Sequence, residues 1–536
     1  MDQPSSSSVS FSVSDQEKEY CRQRGIPLPT KAPYERLREL LGFYNSIFLY
    51  NSTCALTGKA MLSIVPPTKN FKVYDIAVWM DDTAWDPLAY GRDFDFSRPF
   101  FEQFEALMRE VPVPSRSVVL STMENSDYTN GISNAKNCYL IFDSNMSEDC
   151  YFCYQMNNVK NVIDSIDIND CELCYGCKHL KNCYNVRFAD SCEHASDSTF
   201  IFNCRSVQNC FGCTNLTNKQ YCFYNQQLTK EDYEARVAAI DLRSAQVLQV
   251  EKAKFEKFKK QAFIKDLAGQ SNENCTGNFL YECRNCDHTF FSTQAEDCEY
   301  SIRANRGKNC FVYAIFGINV ELIYNSVVCG NNVYNLQFCY GCFVNVRDLE
   351  YCMHVGHGAS DCFASIGLRK KQYCVLNKQY SKEAYFELVA KVKDHMRQTG
   401  EYGQFFPKHF SSFYYNKSEA INFFSLTKAE ALAQGYSWED EVVEPFETTF
   451  TIPDSIADVP DTITSEVLKC ELTGKKYRVI KQELDLYRRW QVPIPRIAPL
   501  ERLKLSCQVL SLRHPGFNAQ KCVLRVVEDV KQMRYN

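Results

Sequence analysis

Residues 136–153 read Lys-Asn-Cys-Tyr-Leu-Ile-Phe-Asp-Ser-Asn-Met-Ser-Glu-Asp-Cys-Tyr-Phe-Cys. The phrase Lys-Asn-Cys at 136–138 returns as Glu-Asp-Cys at 148–150 and as Lys-Asn-Cys at 181–183. Working outward, Cys150, Cys171, Cys192 and Cys213 fall at a constant interval of 21 residues, Cys153 and Cys174 repeat it, and Val162, Cys183 and Cys204 form a third column. Self-similarity at a fixed period marks a repeat architecture. Short aromatic and β-branched runs, such as 138–142 and 199–202, are punctuated by Asn, Asp, Ser and Gly. That pattern predicts the turns of a parallel β-helix, because helical repeats need about 33 to 45 residues per unit. Cysteine suits an inward column, being small and readily buried. Asparagine ahead of it suits a corner, where it tolerates left-handed backbone. With one 21-residue repeat taken as one coil, roughly nine or ten coils follow, a stack of about 45 Å at ~4.8 Å per coil.

A second array restarts the pattern. Arg284-Asn285-Cys286, Glu296-Asp297-Cys298 and Lys308-Asn309-Cys310 are spaced by 12, as are Cys138, Cys150 and Val162. The arrays close alike: Asn209-Cys210-Phe211 leads to Lys219-Gln220-Tyr221-Cys222, and Asp361-Cys362-Phe363 leads to Lys371-Gln372-Tyr373-Cys374. The second is less regular, with Cys342 to Cys362 spanning 20 and Cys352 to Cys374 spanning 22. Each is followed by a helix start, at Thr229 and Ser381. The ends are copies: 11–37 aligns without gaps to 477–503 at an offset of 466, and Cys54-Ala-Leu-Thr-Gly-Lys59 echoes Cys470-Glu-Leu-Thr-Gly-Lys475.

The expected fold is mainly β, a parallel β-helix-like solenoid in two repeat arrays, with helical insertions and related small α+β end modules. The expected divisions are an N-terminal module and linking helix over 1–100, the first array over 101–227 and a helical insertion over 228–270. The second array covers 271–380, a helical and extended linker 381–465, and a C-terminal module related to the first 466–536.

Composition bounds the function classes. A 536-residue chain with 45% hydrophobic residues holds several packed cores. A net charge of -5 gives no general signal for polyanion binding. The first twenty residues lack the basic start and apolar run of a secretory signal, and no segment has the roughly 18 apolar residues of a membrane span, so a cytoplasmic protein is expected. There the 28 cysteines read as reduced structural thiols, with metal ligands and disulfides as the alternatives.

The strongest metal-like string is Cys171-Glu-Leu-Cys174-Tyr-Gly-Cys177, joined by Cys150/Cys153, Cys210/Cys213, Cys283/Cys286 and Cys339/Cys342. Such spacing suits zinc or iron–sulfur ligation. Against it, residues i and i+3 on a straight strand face opposite ways unless a corner intervenes. Lys252, Lys254, Lys257, Lys259 and Lys260, interleaved with Phe255, Phe258 and Phe263, read either as a polyanion contact or as a helix packing its phenylalanines inward. His354 and His357 near Cys352 and Cys362 raise a Cys–His nucleophile, and Asp81, Asp82 and Asp86 around Trp79 and Trp85 a polar site. Phosphate-loop and dinucleotide-binding glycine motifs are missing.

The Lys-Asn-Cys-Tyr arrays, the Cys-Phe-Gly-Cys phrase at 210–213 and the segment Gly-Arg-Asp-Phe-Asp-Phe-Ser-Arg-Pro-Phe-Phe at 91–101 resemble a family of cysteine-rich repeat proteins with zinc-ribbon-like ends. That family comes from uncultivated small-genome bacteria and brings no activity to transfer. The resemblance implies Cys-Pro-x-Cys-Arg and Cys-x-x-Cys-Gly-Lys knuckles at the ends. Here Ala32 and Glu35 replace the first pair, and Thr57 and Thr473 replace second cysteines, so zinc is expected to be lost while the shape stays. The reading that results is a non-enzymatic cytoplasmic solenoid serving as a structural or protein-binding platform. The alternatives are a thiol-based metal-binding or redox protein and a nucleic-acid-associated protein.

Overall fold

The computed structural model describes residues 11–263, 269–299, 301–302, 326–327, 339–342, 345–442 and 444–507. Lys265, Cys310 and Cys522 lie outside the described residues. The chain divides into two compact units, one of 116–265 with 440–510, the other of 1–115 with 266–439 and 511–536. The first array therefore shares a unit with the C-terminal module, and the second array with the N-terminal one.

The first unit is built on a parallel β-solenoid, and its register fixes the coil. Tyr139 pairs with Tyr151, Val159 with Cys171 and Cys210 with Cys222, each one coil and 12 residues apart. From Asn134 to Asp170 every third residue has φ between +47° and +60°. Each coil thus has four sides of three residues, with a left-handed residue at every corner. The residue after each corner points inward: Cys138, Ile141, Ser144, Ser147, Cys150 and Cys153 are all buried. The 21-residue period is not the coil length, which corrects that expectation. It is one coil plus three further sides, so Cys150, Cys171, Cys192 and Cys213 step one side back at each recurrence and do not stack. The residues that stack are 12 apart, and about 18 turns result, near twice the number expected.

Left-handed backbone costs an ordinary residue roughly 1–2 kcal/mol, less for Asn and Asp. Corner side chains offset that cost along the stack. Asn125 donates to Asn137 at 3.1 Å, Asn137 to Asp149 at 3.1 Å, and Asn158 to Asp170 and Asn185 to Asp197 at 2.7 Å. Aromatic corners stack instead, as Phe188 does on Phe200 with ring centroids 5.0 Å apart. At Gly212, with φ +67°, a Cβ would lie 2.8 Å from the Tyr224 ring, so the Cys-Phe-Gly-Cys phrase is a corner that admits no side chain.

The second array, in the other unit, keeps the same corners but varies the coil. Glu273 meets Arg284 after 11 residues, Gly277 meets Thr289 after 12, and Arg347 meets Ser360 after 13. Near the last pair, corners at His354 and His357 are followed by Asp361, with Gly358 at φ +88° as the extra residue. That insertion makes the Cys352–Cys374 interval 22.

Both arrays stop in the same way. Antiparallel hairpins pair Cys222 with Gln227 and Cys374 with Gln379. The Asn225 side chain accepts from the Thr214 N–H at 2.9 Å and donates to the Thr214 carbonyl at 3.0 Å, and Asn377 does the same to Ile366 at 2.7 and 2.9 Å. A side-chain amide stands where the next coil's peptide would be. Helices Lys230–Ala238 and Lys382–Thr399 follow, N-capped by Thr229 and Ser381. Helices Ala245–Lys259 and Lys428–Ala433 fill the other expected helical stretches.

The end modules match to the residue. Helices Asp15–Arg24 and Pro33–Leu41 recur as Lys481–Trp490 and Pro499–Cys507 at the offset of 466. The left-handed ends Gly25 and Gln491 correspond as well. The knuckle hairpins recur in the opposite order: Tyr50–Thr53 with Ala60–Ser63 follows its helices, whereas Leu468–Lys469 with Lys476–Tyr477 precedes them.

Candidate functional site

The three-residue side decides where every cysteine goes. Positions i and i+3 occupy consecutive inward places because a corner separates them, which is the exception to the straight-strand rule, so opposite facing does not apply here. Cys150, Cys153, Cys171, Cys174, Cys177, Cys210, Cys213, Cys283, Cys286, Cys339 and Cys342 all lie inside, between 0 and 4% exposed. They form the cores of the two arrays together with Val, Ile, Leu and Ala.

Backbone groups satisfy these thiols. Cys177 Sγ lies 3.3 Å from the Tyr175 carbonyl and 3.4 Å from that of Val186; Cys286 Sγ lies 3.3 Å from Arg284 O and 3.4 Å from Ala295 O. The sulfur also accepts: the Cys183 N–H points at Cys171 Sγ at 3.3 Å. Serine fills the same role elsewhere, with the Cys177 N–H donating to Ser165 Oγ at 3.1 Å and the Cys210 N–H to Ser198 Oγ at 3.1 Å. Burial pushes the Cys153 and Cys352 thiols well above their ordinary range. Where thiols touch, one gains at the other's expense: the bond to Cys286, then burial, raises Cys283, while Cys283 and Cys298 lower Cys286. Among the described residues no group of three His, Cys, Asp or Glu side chains is arranged to hold a metal ion.

The end modules do not fit zinc either. Cys470 Sγ accepts the Ala498 N–H at 3.3 Å, Thr473 Oγ1 is buried without a hydrogen-bond partner, and Glu501 is paired with Lys475 at 2.9 Å and Lys504 at 3.1 Å. One thiol and one carboxylate already held by two ammonium groups fall short of the four ligands a structural zinc needs. In the N-terminal module Cys54 Sγ accepts the Asp75 N–H at 3.4 Å, and Glu35 bonds the Ala32 N–H at 3.2 Å.

What the modules share is an inward arginine–glutamate contact that sequence reading passed over. Arg36 grips Glu17 at 2.6 and 3.1 Å. Its counterpart Arg502 reaches Glu483 at 3.4 Å, the Tyr487 hydroxyl at 3.2 Å and, on the first array, Asp164 at 2.9 Å. Burial lifts the Glu483 carboxyl to about 7 against the pull of Arg502. Recurrence of both Glu and Arg at the offset of 466 was the available signal.

The basic helix is partly turned to the array. Lys259 pairs with Asp190 at 2.7 Å and lies over Phe202 at 4.3 Å, Lys252 lies over Phe188 at 4.3 Å, and Lys254 pairs with Glu251 at 2.5 Å. Lys257 and Lys260 are exposed. Phe255 is buried against Phe200, and Phe258 meets Tyr224, leaving Phe263 exposed. In the other unit, Cys352 and Cys362 point inward while His354 packs edge-on against Tyr340, so they make no nucleophile pair. Asp82 pairs with Arg369 at 2.9 Å, whose guanidinium lies over Trp79 at 4.9 Å and Trp85 at 5.4 Å. Asp81 and Asp86 cap local turns.

Comparison with known proteins finds no matching family model and no matching curated protein.

Proposed function

We propose that the chain is a non-enzymatic cytoplasmic platform that presents solenoid faces to a protein partner. The observation that carries this reading is a strip along the first array. Its exposed residues include Asn134, Lys136, Asn158, Lys160, Asp170 and Glu172, which recur every 12 residues along adjacent columns. Long regular faces of stacked repeats suit macromolecular partners. Among the described residues the interior supports the same reading, since its serines and thiols bond backbone groups, as Ser165 and Cys177 do. No helix among the described residues is long and apolar enough to cross a membrane. The test is affinity capture with the wild-type chain and with a Lys136→Glu, Lys160→Glu variant, folding checked by circular dichroism. A protein held by the wild type and released by the variant is expected. A partner retained equally by both, or none at all, refutes the strip as the contact.

A further inference from the structure

We propose that Cys275 and Cys286 are a dithiol site that small disulfides oxidise, closing a bond between the first two described coils of the second array. Of the described cysteines, Cys275 alone is not buried. The bridge of Glu273 to Arg284, continued by the hydrogen bond from the Thr276 N–H to the Cys286 carbonyl at 2.8 Å, sets the two cysteines in register. Register partners on neighbouring parallel strands sit ~4.8 Å apart, inside the ~4.4–6.8 Å Cα window of a disulfide. Their thiols contact each other. The same register joins Cys138 to Cys150, Cys171 to Cys183, Cys192 to Cys204, Cys210 to Cys222, Cys286 to Cys298 and Cys362 to Cys374, but all of those are at most 4% exposed. Access therefore singles out one pair from a contact repeated along both arrays.

The chemistry balances as thiol–disulfide exchange. The Cys275 thiolate attacks one sulfur of a small disulfide, whose S–S bond breaks and releases one thiolate. Cys286 then attacks the Cys275 sulfur of the mixed disulfide, expelling the second thiolate. The protein loses two protons and two electrons, and the small disulfide becomes two thiols. The neighbouring thiols that lower Cys286 assist this second attack.

The experiment treats the folded full chain with oxidised glutathione, blocks remaining thiols with an alkylating agent and maps peptides by mass spectrometry. Trypsin cuts after Lys265, Arg284 and Arg303, leaving Cys275 and Cys286 on different peptides. Loss of two thiols per chain is expected, with the bond assigned to Cys275 and Cys286 by fragmentation. Cys275→Ser should protect Cys286, and Cys286→Ser should leave Cys275 as a stable glutathione adduct. Wild type that stops at the glutathione adduct, a bond from Cys275 to Cys298, or oxidation of Cys222 as fast as Cys275 would each overturn the proposal. If Cys286→Ser does not fold, the wild-type map decides alone.

Discussion

Glu483→Gln should change the pH dependence of the first-array unit while lowering its acid stability by only about 1 kcal/mol. Glu483 is 1% exposed, and burial raises its carboxyl from 4.5 to about 7. The folded unit therefore holds a proton that the unfolded chain releases above about pH 4.5. Stability from this group is complete below that pH and is lost as pH rises toward 7. A shift of about 2.5 units at ~1.4 kcal/mol each gives a loss of about 3 kcal/mol by pH 8. Glutamine copies the neutral carboxyl and can still accept the Tyr487 hydroxyl, 2.8 Å from Oε1 in the wild type. Its amide N–H would face the Ile480 N–H, which now donates to Oε2 at 3.3 Å. That clash costs about 1 kcal/mol at every pH and moves both ends of the curve equally. The assay is urea unfolding at several pH values between 5 and 8, followed by the fluorescence of Trp490, which stacks on Tyr175 at 5.6 Å. Relative to wild type, the variant should gain about 2.5 kcal/mol between pH 5 and pH 8, the remainder of the loss falling below pH 5. A difference that stays constant with pH would refute the reasoning.

Asn377→Ala removes three hydrogen bonds, to the Ile366 N–H, the Ile366 carbonyl and the Pro87 carbonyl. It should cost roughly 2–4 kcal/mol and, by baring a strand edge, raise light scattering on mild heating. Ser165→Ala should cost about 1–3 kcal/mol by orphaning the Cys177 N–H, whereas Ser165→Cys should stay within about 1 kcal/mol of wild type in denaturant midpoint, since sulfur already plays this part at Cys171. Protein purified without chelator should carry well below one equivalent of zinc by elemental analysis, because neither knuckle offers four ligands.

The solenoid could be read from the chain, but its coil could not, and the reason lies in the choice of residue. An inward place recurs every three residues, so any multiple of three lines cysteines up. Ser144, Met156, Val159 and Ile168 fill the same kind of place as Cys150, which makes cysteine spacing a record of which inward sites hold sulfur and not of which sites stack. The interval of 12 from Cys138 to Cys150, and from Cys286 to Cys298, was the true coil but had fewer repeats behind it. The end modules were legible as copies, yet the reversed order of hairpin and helices needed the two offsets to be set against paired strands. Exposure of Cys275 has no counterpart in sequence, since its phrase Glu-Asn-Cys matches those of buried cysteines.

The three-residue side also governs how such an array can lengthen or shorten. Removing or duplicating any multiple of three residues leaves every interior side chain interior, even when the change is not a whole coil. A seven-triplet duplication, the one the cysteines record, advances the chain by a turn and three quarters. Features copied in that way wind around the rod as a spiral stripe instead of running along one side. A binding partner following such a stripe would have to coil with it, whereas one following the 12-residue columns could lie straight.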